Sequence, residues 1–144
     1  MTVFVDTAVI MYASGGEHRL KQPCADVLRQ IAAGKLSATI SAEVIQEIAH
    51  RFMHVRRPQK AAELASYALD LFAPVTPIGQ AVVARLPGLI NRYPTLQARD
   101  LLHLATCLEE GIEAIVTPDL GFDRIPELQR IDPTDVAGLS IQGA

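Results

Sequence analysis

The segment ARDLLHLATCLEEGIEAIVTPDLGFDRIPEL, residues 98–128, contains the clearest helix and strand signals of the chain. Leu101, Leu104, Ala105 and Leu108 recur at helical spacing, and Gly111 is typical of a helix end. The run EAIVT that follows predicts a strand buried on both faces. A helix that leads directly into such a strand indicates an α/β domain with parallel strands.

The same alternation of elements continues outside this segment. We predict strands at residues 2–5, 36–41, 74–77, 113–117 and 128–132. We predict helices at 7–14, about 18–33, 42–55, 58–72, and from about 78, with a disturbance at Pro87 and Gly88. Ser41 is a natural N-cap for the third helix. The expected fold is a three-layer α/β/α domain with a central, mostly parallel sheet of four to five short strands.

The composition favours one compact domain over residues 1–144, because 49% of the residues are hydrophobic and no repeat or low-complexity tract occurs. The apolar runs are shorter than the roughly 18 residues of a membrane helix, and the N-terminus lacks a basic region. We therefore expect a cytoplasmic protein without a membrane partner. Cys24 and Cys107 lie in apolar helical contexts without CxxC spacing, which predicts reduced, packed thiols.

The charge balance argues against a protein that coats nucleic acid. The chain has 13 basic and 16 acidic residues and a formal net charge of −3. A polyanionic substrate would therefore need local arginines or a bound metal.

Acidic residues stand where function collects in a parallel sheet, outside the carboxyl ends of the strands. Asp6 follows the first strand, Asp119 follows EAIVT, and Glu47 lies on the helix after the second strand. Asp100 occupies the first turn of the helix that leads into EAIVT.

Each of these residues also has a purely structural interpretation. Asp6 could cap the short helix that follows it, and Asp100 could complement a helix N-terminus. Asp119 could be a turn residue after Pro118, and Glu47 could be solvated.

A functional interpretation follows if the four carboxylates converge. Two like charges about 4 Å apart repel by about 4 kcal/mol at an effective dielectric constant near 20, so such a cluster needs a counter-charge. Oxygen ligands suit Mg²⁺ or Mn²⁺, and such an ion can activate water for attack on a phosphodiester.

Three segments together resemble a known family: VFVDTAVIMY, ISAEVIQEIAHRF and the segment 98–128, in this order and spacing. They are similar to the PIN domain and, within that superfamily, to VapC-type toxins of bacterial toxin–antitoxin pairs. The resemblance covers nearly the whole chain. It implies a metal-dependent ribonuclease with one or two Mg²⁺ or Mn²⁺ ions, a cognate antitoxin as partner, and a homodimer.

The resemblance also implies roles for individual residues. Asp6, Asp100 and Asp119 match metal-binding positions, and Glu47 matches the glutamate that completes the acidic pocket or holds a second ion. Thr7 and Thr117 match supporting positions.

Two positions depart from the family pattern. Gly121 stands where many relatives have a second acidic residue, which weakens that corner of the site unless Asp123 compensates. His103 stands where many relatives have a small apolar residue. Its expected role is a packed residue or a partner of Asp100 one turn earlier, with an RNA contact as the third alternative.

Two other clusters carry alternative hypotheses. Glu43, Glu47, His50 and His54 share one face of the third helix, which we interpret as a solvated polar face rather than a transition-metal site, because it lacks the HExxH arrangement. Glu43 is the alternative to Glu47 as the metal-binding carboxylate of this helix. Arg51, Arg56 and Arg57, with Lys60 nearby, form either an ordinary helix end or a contact for RNA phosphate or an acidic antitoxin segment.

The expected function is a toxin endoribonuclease that cleaves RNA, with transfer RNA as one candidate substrate, by metal-activated water. The alternative is a PIN-fold RNA- or protein-binding module with little or no catalysis. A haloacid dehalogenase-type phosphatase is disfavoured, because Ala8 occupies the position of the second aspartate that this chemistry requires.

Overall fold

The computed structural model describes residues 1–138 and contains a four-stranded parallel sheet in the order β2-β1-β3-β4. The strands are β1 (Val3–Val5), β2 (Ala38–Thr39), β3 (Ala114–Val116) and β4 (Gln129–Ile131). β1 and β3 are fully buried, as near-continuous apolar strands of a covered parallel sheet should be. The prediction of an α/β fold around a parallel sheet is confirmed.

Seven α-helices flank this sheet within the described part of the chain. They are α1 (Thr7–Ser14), α2 (Lys21–Ala32), α3 (Ala42–His54), α4 (Pro58–Leu71), α5 (Gln80–Val83), α6 (Leu86–Arg92) and α7 (Ala98–Glu110). Two short 3₁₀ helices, Leu120–Arg124 and Pro133–Asp135, flank β4. None of the described helices is long and apolar enough to cross a membrane.

Local signals in the sequence mark the ends of the helices that matter for the site. The Ser41 side chain accepts a hydrogen bond from the Glu43 backbone N–H and caps α3, as predicted. Gly111 ends α7 in the left-handed conformation, with φ of 69°, which a residue without Cβ adopts at little cost. The chain then turns directly into β3.

The predicted strand at residues 74–77 was wrong as a full strand. Only a single parallel bridge forms there, between Ser41 and Thr76. Pro74 and Pro77 lack the N–H groups that would extend the ladder on either side. The sheet therefore has four strands, the lower of the predicted numbers.

Other differences concern the boundaries of elements. The helix expected from about residue 18 begins at Lys21, because the Leu20 N–H is bonded in a turn to Nδ1 of His18. The disturbance expected at Pro87 divides the region into α5 and α6. Residues 139–144, which the one-domain prediction includes, lie outside the described residues.

The core surrounds the central strands, and it contains both cysteines. Cys24 and Cys107 are buried free thiols, and burial raises the pKa of each to about 12. The prediction of packed, reduced thiols agrees with this placement.

The strand order creates one position at the carboxyl edge of the sheet where function is expected. The chain runs outward from β1 to β2 on one side and returns to β3 on the other. The carboxyl ends of β1 and β3 are therefore neighbours at a topological switch point, where a crevice opens in folds of this kind.

Candidate functional site

A small acidic cavity of about 140 Å³ opens at this switch point. All four predicted acidic residues, Asp6, Glu47, Asp100 and Asp119, line it. Asp6 comes from the end of β1, Glu47 from α3, Asp100 from the first turn of α7 and Asp119 from the loop after β3. The remaining lining residues are Ala8, Arg51, Gln97 and Arg99. The four predicted acidic residues therefore lie around one cavity.

Asp6 is held by contacts across the sheet rather than by the helix that follows it. Its backbone N–H donates to the Val116 carbonyl oxygen at 3.1 Å, and its Oδ2 accepts a 2.7 Å hydrogen bond from the Thr117 hydroxyl. Although Asp6 occupies the N-cap position of α1, its side chain makes no capping hydrogen bond. The interpretation of Asp6 as a helix cap is thus not supported.

Burial raises the pKa of the Asp6 carboxyl, against the opposing effects of His103 and of the Thr117 hydrogen bond. For Asp100, burial and the neighbouring Asp6 raise the pKa to about 6. Within the described residues, the Asp100 carboxylate accepts no hydrogen bond and forms no ion pair. The nearby His103 and Arg99 therefore offset only part of the cost of holding negative charge at Asp100.

Thr117 links two of the acidic residues. Besides donating to Asp6, its hydroxyl oxygen accepts the backbone N–H of Asp119 at 3.1 Å. The Asp119 carboxylate in turn accepts a hydrogen bond from the Gly121 N–H at 2.9 Å. Asp119 is therefore a turn residue, as its purely structural interpretation predicted. Asp119 is exposed at the mouth of the cavity, so a turn role and a ligand role are compatible.

Gly121 fits closely against Asp119. A Cβ atom at this position would lie 3.1 Å from Asp119 Oδ1, so a larger residue would press on that carboxylate. Asp123, the residue expected to compensate for the missing acidic side chain, pairs instead with Arg130 at 2.8 Å and lies outside the cavity lining. In this arrangement Asp123 does not replace the acidic side chain that is missing at Gly121.

His103 lies beneath the cavity and is fully buried. Its Nε2 is 2.9 Å from Glu47 Oε1 and 3.6 Å from Asp6 Oδ1, although the angle of the shorter contact is poor for a hydrogen bond. Burial lowers the pKa of His103, but the nearby Glu47, Asp6 and Asp100 outweigh this effect and the net shift is upward. Such burial excludes the RNA-contact alternative.

Glu47 is distinguished from its rival by burial and contacts. It is 7% exposed and lines the cavity, whereas Glu43 is only partly buried and is not among the lining residues of the described chain. Burial and the charge of Glu47 raise the pKa of Glu43. His50 and His54 are exposed and stack on each other at 6.1 Å, as a solvated helix face would.

The donor set suits a hard divalent cation by chemistry and charge. Carboxylate oxygens dominate it, Glu47 Oε1 has no well-formed hydrogen bond, and the buried hydroxyl of Thr7 has none among the described residues. As placed, no three His, Cys, Asp or Glu side chains of residues 1–138 form a group that could hold an ion. Side-chain rotation would have to close the distances.

The family of the chain follows from comparison with known proteins. The PIN domain family model matches residues 3–128. The chain belongs to the PIN domain family.

Individual relatives of this PIN domain are similar over nearly its whole length. Ribonuclease VapC7 of Mycobacterium tuberculosis is 33% identical over 138 residues, which cover 95% of this chain and 94% of the relative. Ribonuclease VapC13 of the same species is 30% identical over 129 residues, 90% of this chain and 98% of the relative. The crystal structure of VapBC2 from Rickettsia felis bound to a promoter DNA fragment contains a chain of the same fold. The TM-score is 0.72 and the sequence identity 17%, and the match covers 92% of this chain and 98% of that chain.

Two arginines of this PIN domain site were not predicted as lining residues. Arg51 was grouped with Arg56 and Arg57, which together with Lys60 line a separate surface recess. Its position one helical turn after Glu47 is the signal that places both on one face of α3. Arg99 directly precedes Asp100, and its Nε lies 4.0 Å from Glu47 Oε2.

Proposed function

We propose that this protein is an endoribonuclease that requires Mg²⁺ or Mn²⁺ and acts as the toxin of a toxin–antitoxin pair. The observation that carries the proposal is the convergence of Asp6, Glu47, Asp100 and Asp119 on one cavity at the switch point of the sheet. The similarity to proteins named VapC ribonucleases supports the choice of RNA as substrate.

Asp6, Asp100 and Asp119 would hold the principal ion, and Glu47 would complete the pocket or hold a second one. When bound, a divalent cation supplies Lewis-acid chemistry that activates water and offsets negative charge on the phosphate. The protein's own groups fix the donors: Thr117 orients Asp6, and the Gly121 N–H orients Asp119.

Arg51 and Arg99 supply positive charge at the cavity, although the net charge of the chain is negative. Arg51 of α3 and Arg99 of α7 line the cavity together with Glu47. Guanidinium groups bind phosphate oxygens through paired hydrogen bonds. We propose that Arg51 and Arg99 bind the RNA phosphates next to the scissile phosphate.

A test of the proposed reaction uses purified parent protein and Asp6→Asn with a mixture of cellular RNAs. We expect cleavage by the parent in Mg²⁺ or Mn²⁺, none in EDTA, and none by Asp6→Asn in either ion. Cleavage by Asp6→Asn at the parental rate would exclude this site as the catalytic centre. Mapping of the cut ends after brief induction in cells then identifies the RNA, for which transfer RNA is the first candidate.

The proposed partners are a cognate antitoxin and a second copy of this chain. Structures with this fold include VapBC2 from Rickettsia felis and a toxin–antitoxin complex from Klebsiella pneumoniae. An apolar hollow of about 340 Å³ between α1, α2 and α4 offers a surface for the antitoxin. Met53 and Leu69, exposed on the paired helices α3 and α4, offer one for the second copy. Copurification with the product of a neighbouring small gene and light scattering test the two partners.

A PIN-fold binding module with little catalysis is the second candidate. Two observations favour it: Gly121 has no acidic side chain, and Asp123 pairs with Arg130 instead of lining the cavity. Calorimetric titration with Mn²⁺ separates the candidates, because a binding module would take up no ion between micromolar and millimolar concentrations.

A further inference from the structure

An open recess of about 530 Å³ lies at the junction of α3 and α4, apart from the acidic cavity. Its lining residues are Arg56, Arg57, Pro58, Gln59, Lys60 and Glu63. Three of them are basic, and within residues 1–138 none of these three side chains forms an ion pair. The one acidic side chain, Glu63, accepts the Gln59 amide at 3.2 Å. The recess is therefore locally positive on a chain whose net charge is −3.

The backbone that carries Arg56 is set by the end of α3. The Arg56 N–H donates to the Met53 carbonyl oxygen at 3.0 Å and the Arg57 N–H to that of Phe52 at 2.7 Å, the bonding that closes a helix with a left-handed residue. Arg56 is that residue, with φ of 60°, and among residues 1–138 no other residue except glycine has a positive φ. Glycine adopts this conformation at little cost, whereas a residue with a Cβ atom does not. The arginine therefore makes this helix end less stable than glycine would.

Lys60 also lies where the fold disfavours it. It belongs to the first turn of α4, which contains no acidic residue. The N-terminus of a helix carries partial positive charge, so an ammonium group there is repelled. Like Arg56, Lys60 destabilises its own helix end. Residues that break a local rule in this way are typical of functional sites, and a need for positive charge accounts for both.

Arg51 connects the recess with the acidic cavity. It lines that cavity, is exposed and forms no ion pair within the described chain. Because α3 ends at His54, the recess starts within about 10 Å of Arg51 along the helix. The Arg57 guanidinium lies over the ring of Phe52, 5.8 Å from its centroid, which anchors this basic side chain to α3. Unpaired basic groups thus extend from the cavity to the recess.

The lining of the recess favours a nucleic acid over a protein as its ligand. Among the described residues that form it, only Pro58 is apolar. The centre of a protein interface is apolar and depleted in lysine and glutamate, whereas a nucleic-acid interface is polar and positively charged. Guanidinium and ammonium groups bind backbone phosphates.

We propose that Arg56, Arg57 and Lys60 bind backbone phosphates of the RNA outside the cavity, so that one strand is held from the cavity to the recess. This inference rests on the proposed function, because the recess would hold another part of the RNA that the cavity cleaves. Contacts to phosphates carry no sequence information, so the recess adds affinity rather than selectivity. It needs no divalent cation to do so.

The test is the binding of a labelled single-stranded RNA dodecanucleotide of mixed sequence, measured in EDTA by fluorescence anisotropy at several salt concentrations. In the double variant Arg56→Gly/Lys60→Gln, the loss of two phosphate contacts should reduce the slope of log K against log salt by about 1.4 and the affinity at physiological salt by about 10-fold. Arg56→Lys keeps the positive charge and should keep the slope of the parent.

Thermal denaturation shows whether weaker binding results from damage to the fold. Arg56→Gly relieves the left-handed arginine, and Lys60→Gln removes a cation from a helix N-terminus. The double variant should therefore melt at the temperature of the parent or above it, while it binds RNA more weakly. A purely structural role of the two residues predicts the opposite change in melting temperature.

Arg19→Gln/Lys35→Gln is the matched control. It also removes two exposed basic groups without an ion pair in the described chain, one before and one after α2. Neither residue lines the recess or the cavity, so the slope of this variant should match that of the parent.

An unchanged slope and affinity in Arg56→Gly/Lys60→Gln would overturn the inference and leave an acidic segment of a protein partner as the ligand of the recess. An equal loss in the control would also overturn it, because net charge alone would then explain the binding. Cleavage of RNA by the parent in Mg²⁺ or Mn²⁺ tests the proposed function separately. Absence of cleavage together with a slope that depends on the recess would contradict that function, but not the binding of RNA by the recess.

Discussion

The hydroxyl of Thr117 donates a 2.7 Å hydrogen bond to Oδ2 of Asp6, and so joins the carboxyl ends of β3 and β1. The same hydroxyl oxygen accepts the Asp119 N–H. Thr117 is fully buried, so neither bond is replaced by water at the protein surface. One side chain thus sets the relative positions of two of the acidic residues.

Thr117→Val should weaken both the fold and the site. Loss of the hydroxyl leaves a buried carboxylate oxygen of Asp6 unpaired, at a cost of about 1–3 kcal/mol in the free energy of unfolding. We also expect the affinity for Mn²⁺ to fall about 10-fold, as for other groups that orient ligands. Urea denaturation and calorimetry measure the two effects.

Thr106→Val is the matched control for this prediction. Thr106 is equally buried, but among residues 1–138 its hydroxyl bonds only to the Leu102 carbonyl within α7. The affinity of this variant for Mn²⁺ should stay within about twofold of the parent's. An equal loss of affinity in both variants would contradict the orienting role of Thr117.

Asp6→Asn should stabilise the metal-free protein and reduce its stabilisation by added metal. Burial raises the pKa of Asp6, so the ionised carboxylate is unfavourable in the metal-free fold and a neutral amide should raise the melting temperature in EDTA. Added Mg²⁺ or Mn²⁺ should raise the melting temperature of the parent more than that of the variant, because only the parent binds tightly. Equal shifts in a thermal denaturation series would argue that Asp6 is not a ligand.

Asp100 predicts a specific pH dependence in metal-free protein. Its pKa is raised from 3.8 to about 6, so the folded state holds a proton that the unfolded state has released. Stability should therefore fall as the pH rises from about 4 to about 6. Asp100→Asn removes this dependence and should gain on the order of 1–2 kcal/mol over the parent between pH 4.5 and pH 7, after allowance for partial exposure.

The control for the pH experiment is Asp70→Asn, which changes an exposed aspartate of α4. Urea denaturation in EDTA at both pH values gives the comparison. If the difference in stability between Asp100→Asn and the parent does not change with pH, Asp100 does not titrate in this range.

Arg51→Gln and Arg99→Gln should lower RNA affinity without lowering affinity for Mn²⁺. Each lost phosphate contact should reduce the slope of log K against log salt by about 0.7 for a single strand. Arg85→Gln is the control, because Arg85 pairs with Glu109 at the opposite end of α7. Filter binding to RNA at several salt concentrations measures the slopes. Unchanged slopes in both site variants would remove these arginines from the RNA path.

The positions of Asp6, Asp119 and Glu47 could be predicted from local signals in the sequence, whereas the position of Asp100 depends on how α7 packs against the sheet. Asp6 and Asp119 come after buried apolar runs, and parallel strands bring such ends together. Glu47 lies on the helix capped by Ser41, a boundary that the sequence marks clearly. Once the order of the strands is known, these residues are expected at the same edge of the sheet.

The contacts of the same residues could not be predicted, because they depend on how helices pack at long range. The pairing of His103 with Glu47 depends on the placement of α7 against α3, which helical periodicity does not specify. The pairing of Asp123 with Arg130 depends on the register of β4, which places the guanidinium beside the 3₁₀ helix. In both cases the sequence offers several possible partners for a side chain, and only the folded structure shows which one it contacts.

The strand order β2-β1-β3-β4 also determines when the site can exist during synthesis. Chains emerge from the ribosome N-terminus first, and here β1 leads while its neighbour β3 comes late. A nascent chain that stops before β3 leaves one edge of β1 unpaired and lacks Asp119, so the cavity has no closing wall. The site therefore comes into being only after β3 and the loop that follows it have been made, when β1, β2 and all seven helices described above are already available to fold around it.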